Sequence, residues 1–103
     1  LLDWLPDDGT PLILMGELNA LLDNPEMAPL RARFSEALRA QHPDQTDRTT
    51  LNTALGHRSV QIDHILYEAT AFRPLEAAIV GDQPVGEVWP SDHFAKVARF
   101  TKA

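Results

Sequence analysis

The chain divides by the period of its apolar positions. Pro11-Leu12-Ile13-Leu14-Met15-Gly16 is a continuous apolar run bounded by proline and glycine, the pattern of a strand buried on both faces at the centre of an α/β sheet. It predicts a strand over 11–16, with Gly16 allowing a tight turn that leaves Glu17 and Asn19 at the carboxyl edge. Val60–Tyr67 alternates, with Val60, Ile62, His64 and Leu66 on one face and Gln61, Asp63, Ile65 and Tyr67 on the other. A further strand is expected near 76–80, closed by Gly81-Asp82-Gln83-Pro84, and a half-buried last strand over 94–100. Between these, Leu30, Phe34, Ala37 and Leu38 recur at helical spacing, so one amphipathic helix is predicted over 29–41. Pro29 suits its first turn, Pro43 stops it, and its apolar stripe covers the sheet. Residues 1–5 read as the last turn of a helix running into Pro6-Asp7-Asp8-Gly9. These elements make an α/β chain whose residues 1–103 form a single domain or a fragment of one.

Polar residues interrupt the apolar runs at three places. Glu17 and Asn19 follow the first strand, Asp63 lies inside the second, and Ser91-Asp92-His93 precedes the last. Asp63 is a carboxylate among apolar neighbours, a costly placement without a partner. His64 falls on the opposite face and reads as a packing residue. The polar stretch 41–59 shows no period; a loop of that length is functional or mobile. Its Asn52, His57 and Arg58 are candidate substrate contacts, with a solvated loop as the plainer alternative.

Composition narrows the chemistry. With no cysteine, disulfides and thiolate metal sites are excluded, and any ion must be held by oxygen or imidazole. A formal net charge of −6, with Arg31, Arg33 and Arg39 as the closest basic grouping, argues against broad affinity for nucleic acid. No apolar run approaches the ~20 residues of a membrane span.

The Gly16-Glu17-Leu18-Asn19 strand end, Ile62-Asp63-His64 and Ser91-Asp92-His93, in this order, resemble the C-terminal half of the endonuclease/exonuclease/phosphatase (DNase I-like) family. That family carries aspartate where this chain has Glu17. The resemblance implies half of a four-layered α/β sandwich with a mostly antiparallel mixed sheet. It further implies a metal-dependent phosphoester hydrolase, a phosphodiesterase, phosphatase or nuclease in which water attacks phosphorus in line. Asp92, with Glu17 and Asn19, would hold magnesium or manganese; Asn19 would also donate to the phosphate. His93 would contact the scissile phosphate and move a proton, Asp63 would orient its ring, and Glu17 would position the attacking water. The family's principal metal-ligating glutamate belongs to the other half, so the 103-residue chain alone is expected to turn over poorly. The face toward that half is expected to be apolar, with dimerisation through it as a possibility. The charge favours a small or lipid-borne phosphoester over nucleic acid. The alternative is a catalytically silent module of the same fold that binds a ligand or a protein partner.

Overall fold

The computed structural model describes residues 2–103. Leu2–Trp4 forms one 3-10 turn, and Leu1, the start of the expected helical turn, lies outside the described residues. The architecture is a small α/β arrangement of two antiparallel sheets and short helices. In the first sheet β1 (Ile13–Glu17), β3 (Asp63–Tyr67) and the two-residue β2 (Ser35–Glu36) lie in the order β1-β3-β2. The second is a hairpin of β4 (Phe72–Val80) and β5 (Ala95–Lys102), with an irregularity between Pro74 and Glu76.

Strand β3 is the spine, because its alternating side chains enter different cores. Ile65 and Tyr67 face Ala77 and Ile79 of β4, while Leu66 faces Leu30, Phe34 and Met27 on the other side. The continuous helix expected over 29–41 is instead two helices, α1 (Ala28–Arg33) and α2 (Ala37–Gln41). Its four apolar residues are all buried, but Leu30 and Phe34 belong to the core around Leu66, and Ala37 and Leu38 to the core around Ile65 and Tyr67. No straight helix reaches both faces of one sheet. The chain therefore crosses between α1 and α2 as an extended segment, with Ser35 opposite Tyr67 and Glu36 opposite Leu66. Glu36 makes the crossing possible by capping the new helix, its carboxylate accepting from the backbone N–H groups of Leu38 and Arg39.

Strand β1 departs from the sequence expectation in position. It pairs with β3 alone and forms the sheet edge, which leaves Met15 66% exposed where burial on both faces was expected. Gly16 stays in the ladder opposite His64, and the turn falls on Asn19 at φ 55°. Asparagine tolerates that left-handed conformation better than most residues. Trp4, Val85 and Val88 are also largely exposed. No helix among the described residues is long and apolar enough to cross a membrane.

Leu66 is almost completely buried, at 1% exposure. Leu66→Ala is expected to lower stability by about 2 to 5 kcal/mol, read as a lower urea midpoint at unchanged slope. A loss under about 1 kcal/mol would mean that the site collapses onto the cavity and that β3 is not the spine.

Candidate active site

The register of β1 on β3 sets Glu17 directly opposite Asp63. Two carboxylates side by side across a strand pair repel each other. The ring of His93 lies between them: Nδ1–H donates to Asp63 Oδ2 at 2.9 Å, and Nε2 is 3.1 Å from Glu17 Oε1. The three side chains grade from partly sheltered to open, with Asp63 at 20%, His93 at 30% and Glu17 at 47% exposure. The Asp63 bond is thus the better shielded of the two and sets the ring's orientation.

His93 is not part of a named strand, so its placement needs separate support. That support comes from Thr49–Asn52, within the polar stretch 41–59 that shows no period. Thr50, fully buried, takes Val60 O with its backbone N–H and gives its own carbonyl to Phe94 N–H at 2.7 Å. Its hydroxyl oxygen accepts from the N–H groups of Ile62 and Asp63. Leu51 bridges His93 in antiparallel fashion. Asn52 N–H donates to Asp92 O, and its side-chain amide donates to Ser91 O. One short segment thereby joins the chain before β3 to the chain before β5. No sequence signal marks this segment, because the polarity of Thr50 and Asn52 reads the same whether they are solvated or, as here, buried and hydrogen-bonded.

Asn52 is therefore not a substrate contact. It is fully buried, and its side-chain carbonyl accepts from Ala54 N–H at the start of the 3-10 turn Thr53–Leu55. His57 Nε2 lies 3.4 Å from Asp92 Oδ2. Asp92 acts on His93 through space, whereas Asn19 and Arg58 are exposed and form no side-chain hydrogen bond among the described residues. His64 is buried as expected of a packing residue: Nε2–H donates to Ala20 O at 2.7 Å, which leaves Nδ1 unprotonated and without a partner. Glu17, Asp63 and His93 each offer a donor atom, all within 4.8 Å of one another. Two carboxylates and an imidazole suit magnesium, manganese or a softer divalent ion.

Electrostatics separate the two histidines. The hydrogen bond to Asp63, aided by the charges of Asp63, Glu17 and Asp92, raises the pKa of His93 above the ordinary 6.5. Burial pushes that of His64 below 6.5, so its neutral form is the folded one. A scan against protein-family models and searches of curated proteins and of solved structures each found no match to this chain.

An NMR pH titration is expected to show His93 titrating above 6.5 and His64 below it, with Asp63→Asn returning His93 toward 6.5. The stability that His93 contributes is full below pH 6.5 and is lost as pH rises through its raised folded value. The His64 contribution runs the other way, present above pH 6.5 and lost as pH falls toward its lowered folded value. A His93 that titrates at or below 6.5 would contradict the bridged geometry.

Proposed function

We propose that this chain is one half of a divalent-metal-dependent phosphoester hydrolase of the endonuclease/exonuclease/phosphatase type. The observation that supports the reading is the His93 ring held between Asp63 and Glu17 at one strand end. A histidine oriented by one carboxylate on Nδ1 has its other nitrogen available for proton transfer. Here that nitrogen, Nε2, faces Glu17.

In this reading Asp63 keeps the proton of His93 on Nδ1 and fixes the plane of the ring. Nε2–H of the protonated ring, the form that the hydrogen bond to Asp63 favours, donates to a phosphoryl oxygen and neutralises charge as it develops there. Glu17, the more exposed carboxylate, takes the proton of the attacking water and holds that water in line with the leaving oxygen. Asn19 donates to another phosphoryl oxygen. Glu17, Asp92 and Asn19 would hold magnesium or manganese, and the exposure of all three suits an ion that keeps several waters. When bound, the ion polarises the phosphoryl group and offsets its charge. The net charge of −6 and the scattered basic residues favour a small or lipid-borne phosphoester over nucleic acid.

The test is hydrolysis of bis(p-nitrophenyl) phosphate by the intact domain at saturating magnesium. His93→Ala is expected to lower the rate by roughly 10² to 10⁴. Glu17→Gln is expected to lower it by removing the charge that holds the water, and a chelator to abolish it. Turnover that survives chelation, or His93→Ala at the wild-type rate, would defeat the reading.

A further inference from the structure

One residue of β5 breaks the polarity of its row. The alternation over 94–100 sets Phe94, Lys96, Ala98 and Phe100 on one face, and the three apolar members pack against the core around Ile65. Lys96 stands among them with its side chain only 2% exposed. Its ammonium donates to Gln61 Oε1 at 2.8 Å and lies 3.6 Å from Glu36 Oε2, on a side chain that is 1% exposed. A buried ammonium is strongly unfavourable unless paired and hydrogen-bonded, and here it is both. Asp63 and His64 of β3 and Arg39 of α2 are the other charged or titratable groups that act on it.

The two ends of the Lys96–Gln61 bond are placed like the two ends of the site. Gln61 stands two residues before Asp63, and Lys96 three residues after His93. The same pair of segments is joined twice, by Asp63 and His93 near the surface and by Gln61 and Lys96 in the interior. Neither interior partner is free to follow a wandering ammonium. Glu36 is occupied in capping α2, and the Gln61 amide nitrogen donates to the carbonyls of Gln45 and Arg48. With Glu36 neutralised as well, an apolar residue at 96 would fill the row without burying any charge. What it would lose is the directional bond to the segment that leads into Asp63.

We propose that Lys96 is a positioning residue for the Asp63–His93 pair, its buried ammonium fixing the segment before β3 against β5 so that the carboxylate meets Nδ1. The inference rests on the reading of that pair as the proton-handling part of the site; Lys96 itself touches no substrate.

Because the chain has no cysteine, Lys96→Cys creates a single alkylation site. Alkylated in denaturant with 2-bromoethylamine and refolded, the variant regains an ammonium at the length of lysine; alkylated with iodoacetamide, it carries a neutral amide. Ring ¹⁵N shifts of His93 at alkaline pH report whether its one proton sits on Nδ1. Wild type taken through the same cycle and the aminoethylated variant are expected to show the Nδ1–H tautomer, and the amide derivative a mixture of both. A pure Nδ1–H tautomer in the amide derivative, or a mixture that aminoethylation does not correct, overturns the proposal. Should neither derivative refold, Lys96→Met combined with Glu36→Gln decides by the same shifts: a mixture supports the proposal and the pure tautomer overturns it. None of these readings involves turnover. An inactive domain with a Lys96-dependent tautomer would refute phosphoester hydrolysis alone, and an active one with a Lys96-independent tautomer would refute the positioning role alone.

Discussion

Two carboxylates meet across the β1–β3 ladder at Glu17 and Asp63, set opposite each other by the backbone register. Such a pair is unfavourable unless something positive lies between them. His93 is that group, and the raised pKa follows from its place between two anions. Much of the remaining structure serves to bring a residue distant in sequence to this spot. Thr50 and Asn52 hold the two segments together by backbone and side-chain hydrogen bonds, with both residues fully buried. A cation held among these donors would relieve the same repulsion.

Beneath the site runs a second polar arrangement with a structural origin. The chain between α1 and α2 must pass from one face of the sheet to the other, and Glu36 at the crossing caps α2. That requirement buries a carboxylate at 1% exposure, and the buried carboxylate in turn tolerates Lys96 in an apolar row. Removing either partner alone would strand a charge, at a loss on the order of 3 to 5 kcal/mol. The crossing and the site are thereby coupled through β5, which bears Lys96 and follows His93.

Local pattern made the strands legible, since β1, β3, β4 and β5 all fall where apolar runs or alternation put them, with ends displaced by a few residues. The site residues Glu17, Asp63 and His93 were legible because each interrupts such a run. The break at Phe34–Glu36 was not, because Leu30, Phe34, Ala37 and Leu38 have helical spacing whether they face one core or two. Which core a residue enters is a tertiary fact. The edge position of β1 was hidden for the same reason: an apolar run reports burial in general and says nothing of how many strands flank it. Asn52 resembled a surface contact because polarity in a loop looks alike whether it meets water or, as here, the backbone of Ser91 and Ala54.

The bridge from Asp63 to His93 is most directly tested by a double-mutant cycle on stability at pH 6, with Asp63→Asn and His93→Gln singly and together. The account predicts that the two changes are coupled by roughly 0.5 to 3 kcal/mol in favour of the native pair. It also predicts that this coupling fades as pH rises through the raised pKa of His93. Effects that add to within about 0.3 to 0.5 kcal/mol would show that the two side chains do not interact and would contradict the account.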